Sequence, residues 1–505
     1  MKVRQRVNDM NRQLLLLLVG LAIFSGGCSL APKYTKPEAP IPDKWPQGAA
    51  YQDAKGPAGA PTTSELGWRE FFTDQRLQQI IEMALNNNRD LRLAALNVER
   101  VRALYGIQRA ELFPAVDAVG AGGKQRQSSD LISPGDPRTI EQYSIDLGII
   151  SWEIDFFGRI RSLKDQALQE YLATEQARRS AQISLIAEVT RVYLTLAADR
   201  ENLKLVRSTL ETQQAAYGLI RRRYEIGLAT ELDLRRAQTR VDAARRDIPR
   251  FTQLVAQDQN ALNLLAGAPV PRELLPADMA SVTPPREIFP GLSSEVLLNR
   301  PDIVAAEHRI KGADAFIGAA RAAFFPRISL TTTMGTASDE LSGLFKSGSG
   351  TWNFGPQIVM PIFDARTWAA LRVSKAERKI ILTQYEKAIQ TAFREVADAL
   401  AVRGTIDQQV SAQQSLIDAV AKTYRLSNLL YTKGLGNYLG VLDAQRSLYV
   451  QQRVLIALGL TKLASQVRLY AVLGGGGDPP EQLSENSNLS QNRDAGKVPD
   501  QKLFR

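Results

Sequence analysis

Tyr224-Glu225-Ile226-Gly227-Leu228-Ala229-Thr230-Glu231-Leu232-Asp233-Leu234 has a counterpart further along the chain. It is Tyr431-Thr432-Lys433-Gly434-Leu435-Gly436-Asn437-Tyr438-Leu439-Gly440-Val441-Leu442-Asp443-Ala444-Gln445. The shared Tyr-x-x-Gly-Leu recurs at an offset of 207, as does Ala237-Gln238 on Ala444-Gln445. Upstream the offset is 212: Asp90 falls on Asp302, Gly106 on Gly318, Arg109 on Arg321, and Phe113-Pro114 on Phe325-Pro326. The second copy is therefore shorter between its Phe-Pro and its long helix. A repeat of about two hundred residues is a duplicated half-protein, too long for a solenoid unit of about 20–50 residues. The two copies occupy 85–268 and 297–473, joined by a Pro-rich linker over 269–296.

Each half opens with a helix, roughly 90–112 and 302–324, and stops at Phe-Pro, because proline disfavours helix in the residue before it. Strands follow. Trp352, Phe354, Ile358, Met360 and Ile362 alternate with Asn353, Gly355 and Gln357, the pattern of a barrel strand. Ile328, Leu330 and Met334 alternate with Ser329, Thr331 and Thr333 before it. In the first half Tyr143, Ile145, Leu147 and Ile149 share one face, and the apolar face then switches to Ile150, Trp152, Ile154 and Phe156. That switch predicts a bulge near 149–150. Its partner strand lies within 115–127. The count is four strands per chain, and eight is the smallest closed membrane barrel. A barrel must then be shared: two chains give eight strands, three give twelve.

Long helices complete each half. Leu185, Val189, Val192, Leu196, Leu203, Val206, Leu210, Tyr217, Ile220 and Tyr224 step by fours and threes, a heptad seam broken by Asp199 and Gln213. The returning helix (Leu234, Ala237, Val241, Ala244, Ile248, Phe251, Val255, Leu262, Leu265) is broken by Asp258, and Pro249 is a candidate kink. A helix from 160 to 224 would be roughly 97 Å long at 1.5 Å per residue. Gly227 and Gly434 suit helix ends, and Thr230 and Asn437 suit the next caps.

The front of the chain reads as an address. Lys2, Arg4, Arg6 and Arg12 precede an apolar run, Leu14 to Phe24, too short to span a bilayer. Residues 1–27 are expected to be a signal peptide. Cys28, the only cysteine, follows Ser25-Gly26-Gly27 and resembles the acylated cysteine of bacterial lipoproteins; Ser29 after it resembles an outer-membrane address. Residues 28–84 would be a lipid-anchored tether and N-terminal segment, and 474–505, rich in Gly, Pro, Asn and Ser, a disordered tail. The net charge of +10, of which the signal carries +3, comes without runs of like charge or basic–aromatic interleaving. Nucleic acid is not an expected partner. No apolar stretch of 18 residues follows the signal, so a barrel is the expected way across a membrane.

Taken together, the Cys28 context, the duplicated strand–strand–long-helix plan, the repeated Phe-Pro and the two Tyr-x-x-Gly-Leu turns resemble the outer membrane factors of the TolC family. The resemblance is to their OprM-like lipoprotein branch, and it runs from Cys28 to Leu473. It implies a trimer: a twelve-stranded β-barrel in the outer membrane continued by a long α-helical periplasmic barrel, a mixed α/β membrane protein. It implies an exit duct of a tripartite drug-efflux pump, docked to a periplasmic adaptor (membrane fusion protein) and an inner-membrane resistance–nodulation–division transporter. The duct needs no cofactor and is not an enzyme; His308, the single histidine, has no second His or Cys nearby to make a metal site.

The resemblance also implies a gate at the closed periplasmic tips. Asp443 aligns with the family's acidic constriction, and Leu439 with an apolar ring beside it. Gly440 stands where TolC has a second Asp, which leaves one acidic ring. Asp233 matches a tip Asp that hydrogen-bonds a second-repeat Tyr, here Tyr431. Gly436 replaces a tip Arg. Arg446, three residues after Asp443, is a candidate pairing partner at the gate. Gly227, Leu228, Gly434 and Leu435 would seat the adaptor's helical hairpins. The alternative of another class is a non-conducting adaptor or structural lipoprotein; adaptors carry one helical hairpin followed by β-rich modules, where this chain carries two hairpins and duplicated strands.

Overall fold

The structure, a computed structural model, describes residues 29–51, 66–288 and 293–475. The expected signal peptide, Cys28 and the tail from 476 lie outside the described residues. The chain divides into two compact units that cut across both repeats. Of the described residues, the first takes 29–38, 97–175 and 305–385; the second takes 39–51, 66–96, 176–288, 293–304 and 386–475.

In chain order the helices before the first strand are α1 (Trp68–Phe71), α2 (Gln75–Asn87) and α3 (Arg89–Ala110). Strands β1 (Asp117–Arg126) and β2 (Thr139–Glu153) precede the long pair α4 (Arg159–Glu225) and α5 (Glu231–Ala266). The second repeat follows the same plan with α6 (Pro301–Ala322), β3 (Arg327–Ser338), β4 (Gly350–Val359), α7 (Ala365–Thr432) and α8 (Tyr438–Val472). α3 and α6 both have 22 residues and both end just before their Phe-Pro. α4 runs 67 residues and α7 runs 68, so the length difference between repeats falls in the strand regions, as the offset change requires. Pro249 lies inside α5, which continues through it.

The first unit holds one antiparallel sheet in the order β1-β2-β3-β4. Its register shifts between Ile149 and Trp152, which pair with Thr332 and Leu330, so β2 carries one extra residue there. This is the bulge the face switch predicts. The Thr331 hydroxyl donates to the carbonyl of Ile150 at 2.8 Å within it. β4 is shorter than its sequence pattern: it ends at Val359, and Met360 and Ile362 fall beyond it. The stop comes where its partner runs out: Val359 pairs with Arg327, the first residue of β3, directly after Pro326. Trp352 and Ile358, on one face of β4, are 81% and 68% exposed, as an apolar face turned to lipid would be. β1 and β4 each have a free edge, an arrangement a bilayer excludes unless other strands cover it.

The N-terminal segment is extended but not loose. In the first unit Arg321 donates to the carbonyl of Leu30 at 2.9 Å, and Lys311 lies 4.9 Å from the Tyr34 ring centroid. Gly318 is needed there: a Cβ would come within 2.9 Å of the Ala31 backbone. In the second unit Trp45 stacks on Phe393 at 5.4 Å, and Ser294 bonds the carbonyls of Pro42 and Asp43. Residues 33–51 are therefore a docked strap where the composition suggests a tether.

The core of the second unit is densest near Phe71, Phe72 and Tyr470, all under 3% exposed, with Phe71 stacked on Tyr470 at 3.9 Å. Asp74 caps α2 through the N–H groups of Arg76 and Leu77. One helix, α8, is long and apolar enough to cross a membrane by length and composition, against the sequence expectation that none follows the signal. Within the chain 22% of that apolar window is buried.

Candidate functional site at the helix tips

The two turns are built alike. Gly227 and Gly434 take φ of 77° and 76°, the left-handed region that glycine enters at no steric cost. Leu228 N–H then bonds the carbonyl of Arg223 at 2.7 Å, and Leu435 N–H that of Leu430 at 2.9 Å, closing each helix end. Thr230 caps α5 in a capping box with Asp233, and the Asn437 side chain caps α8 by accepting from Gly440 N–H at 2.9 Å. Leu228 and Leu435 are left 65% and 77% exposed at the apex.

Beneath the turns both repeats share one apolar core. Ile220 of α4, Ala237 of α5 and Tyr438, Val441 and Leu442 of α8 are buried together, with Tyr217, Leu234, Tyr424 and Tyr431 packed around them. The rings of Tyr431 and Tyr438 sit 5.1 Å apart, and the Arg223 guanidinium lies 4.9 Å from the Tyr431 ring centroid. Burial, then the nearby Tyr431, pushes the Tyr438 hydroxyl up to about 12, and its oxygen is buried without a hydrogen-bond partner. Sequence reasoning assigned Tyr438 no role. The signal was present: Tyr424, Tyr431 and Tyr438 recur at seven-residue spacing.

The predicted gate residues divide into two groups. Leu439, Asp443 and Arg446 lie at i, i+4 and i+7 of α8, on one exposed stripe. The buried Val441, Leu442, Ala444 and Gln445 make up the opposite face. Asp443 and Arg446 form no ion pair with each other among the described residues, so the suspected pairing is not made within one chain. Asp233 and Tyr431 come near one another: burial first, and the Asp233 charge as a lesser cause, raise the Tyr431 hydroxyl. The hydrogen bond implied between them is not made among the described residues. The Asp233 carboxylate instead accepts from the Thr230 hydroxyl at 2.7 Å, because the capping box takes it. His308 bonds Gln169 through Nδ1 at 2.7 Å, and no cluster of three metal-ligating side chains occurs among the described residues.

The arrangement is a pair of helical tips with an exposed polar stripe, joined to amphipathic strands. Open sheet edges and an exposed apolar strand face mark a membrane protein built from strands. The sequence profile of the family described as outer membrane efflux protein matches residues 80–268 and 292–475, both repeats in turn. The chain belongs to that family, the TolC-type outer membrane factors, and is an outer-membrane efflux channel extending into the periplasm.

Relatives bear similar names. A probable efflux pump outer membrane protein of Pseudomonas putida, TtgC, is 48% identical over 463 residues, 92% of this chain and 95% of that one. Outer membrane protein OprJ of Pseudomonas aeruginosa is 40% identical over 465 residues, 92% of this chain and 96% of that one. Among solved structures, a Pseudomonas aeruginosa membrane protein superposes with a TM-score of 0.82 at 40% identity, covering 88% of this chain and all of that one. The open state of the Neisseria gonorrhoeae MtrE channel gives 0.79 at 37% identity, covering 89% and 98%. This is a family of transport proteins, not of enzymes.

Proposed function

We propose that three copies of this chain form a passive exit duct of a tripartite pump, carrying drugs, solvents or other small amphiphilic compounds out of the periplasm. The observation that carries it is the incomplete single chain. Four strands with two free edges cannot stand in a bilayer. α3 is left with one buried residue, while Leu93, Leu96, Leu104 and Ile107 are exposed. Its duplicate α6 is largely buried, so the α3 surface calls for a neighbouring protomer. A periplasmic adaptor and an inner-membrane transporter, of the resistance–nodulation–division class, supply cargo and energy. The exposed Leu228 and Leu435 at the two apices suit the adaptor's hairpins.

Three Asp443 carboxylates and three Leu439 side chains on one three-fold axis form the gate. Arg446 of each chain lies one turn further along the same stripe and pairs near the gate. Bilayer recordings test the duct: detergent-purified protein is expected to give discrete channels, and mass photometry a threefold species. A stable monomer without conductance overturns the reading.

Cys28 is the proposed acylation site, and the docked strap holds the chain that follows it. Cys28→Ser is expected to abolish palmitate labelling while leaving a trimer that still inserts, since the strands carry most of the lipid-facing apolar surface. Labelling that persists in Cys28→Ser would remove the anchor from this position.

A further inference from the structure

The seam of the first long helical pair carries acids where its heptads call for apolar residues: Asp199 on α4 and Asp258 on α5. α4 and α5 run antiparallel, and the packing of Leu203 and Val206 against Phe251, Leu254 and Val255 sets a register that puts Asp199 opposite Asp258, each the other's electrostatic neighbour. Both side chains are half-buried, and Oδ2 of Asp258 is buried without a hydrogen-bond partner. Below them Leu203, Val206 and Phe251 form a small apolar core with Leu254 and Val255. An ionised carboxylate only accepts hydrogen bonds, so two carboxyl groups can bond only when one keeps its proton. Like charges at that range also resist ionising together.

We propose that Asp199 and Asp258 share one proton and act as an acid-fastened clasp between α4 and α5, a proton-binding site separate from the gate. Neighbouring charges act on the two residues unequally. Arg250 of α5 and Arg453 of α8 favour the ionised form of Asp199. Asp258 faces only Arg191 of α4, which is already engaged by Glu188 through bonds of 2.8 and 2.5 Å. Burial, then the Asp199 charge, pushes Asp258 up to about 6, and burial raises Asp199 as well. The pair therefore holds a proton more tightly than a free carboxyl does. Because the folded value of Asp258 lies above the ordinary 3.8, the clasp is complete below about pH 4 and is lost as pH rises through about 6. The hairpin is tightest in acid and loosens towards neutral pH, when a second negative charge enters the seam.

Hydrogen exchange on the full-length protein in lipid nanodiscs tests this, at about pH 5 and pH 8 with intrinsic rates corrected. In wild type the opening equilibrium around 195–205 and 251–262 is expected to be lower in acid by at most about tenfold, the ratio a shift from 3.8 to about 6 gives before solvent screening. Asp258→Asn donates to Asp199 without a proton to lose, so its protection should be equal at both pH values. A wild type with no pH dependence there, or an Asp258→Asn protein that keeps it, overturns the clasp. If Asp258→Asn does not fold, the infrared band of a protonated carboxyl in wild type decides: lost between pH 5 and 8 it supports the pair, and absent at pH 5 it removes it.

Discussion

Leu439→Ala is expected to raise the resting conductance of the purified channel severalfold, and Asp443→Ala to cut its cation selectivity, with the double variant doing both. The reason is multiplication by three. On a three-fold axis each leucine removed takes its methyl groups from the same aperture three times, and each aspartate takes three charges from one ring. Unit charges about 4 Å apart interact by ~1 kcal/mol even at the dielectric of bulk water. A ring of three in a narrow mouth should therefore change the cation-to-anion permeability ratio by roughly tenfold or more. Folding should be nearly untouched. Leu439 is 49% exposed and Asp443 is exposed, on the stripe opposite the buried Val441, Leu442 and Ala444. Single-channel conductance and reversal potential of the three variants against wild type are the measurement. Unchanged values in all three would remove this stripe from the constriction.

How much of this was legible in the sequence follows from which interactions are periodic. The long helices were, because their seams repeat every seven residues and their ends carry Gly227, Gly434, Thr230 and Asn437. α4 was expected over 160–224 and runs Arg159–Glu225. The bulge was legible too, since an inserted residue flips every following side chain to the other face. β4 was read too long because alternation continues past Pro361, and only the ladder shows that pairing has stopped. The strap was read as a tether, since docking through Arg321 and Gly318 depends on residues almost three hundred positions away. At the tips, Asp233 was read as a partner of Tyr431 and not as a cap whose carboxylate the Thr230 hydroxyl takes. Asp199 and Asp258 were each visible as a flaw in a seam; that the flaws face each other is a matter of register between two helices, which one sequence does not display.

The largest effect expected on assembly comes from a glycine at the junction of the two repeats. Gly335 of β3 pairs with Asp146 of β2, and Gly148 of β2 with Thr333, so both glycines sit where the first hairpin joins the second. A Cβ on Gly335 would overlap the carbonyl oxygen of Ile145 and come within 2.7 Å of the Asp146 Cα; one on Gly148 would overlap the carbonyl of Thr332. These neighbours are backbone atoms of a paired strand and cannot rotate away, so a side chain must push the strands apart. Both glycines lie on the face opposite Leu147 and Met334, which pair with each other and are exposed. That opposite face turns to the interior of a closed barrel, where curvature brings strands together and glycine marks close approach. Gly335→Val should therefore break the β2–β3 ladder, the one connection between the hairpins, and abolish the trimer and its conductance. Gly123→Val supplies the control. It too lies in a strand, β1, yet a Cβ there meets nothing within 4 Å, and valine suits a strand better than glycine. Trimer yield by mass photometry and insertion into bilayers read both variants. A Gly335→Val protein that assembles and conducts like Gly123→Val would show that the two hairpins need not pair through β2 and β3.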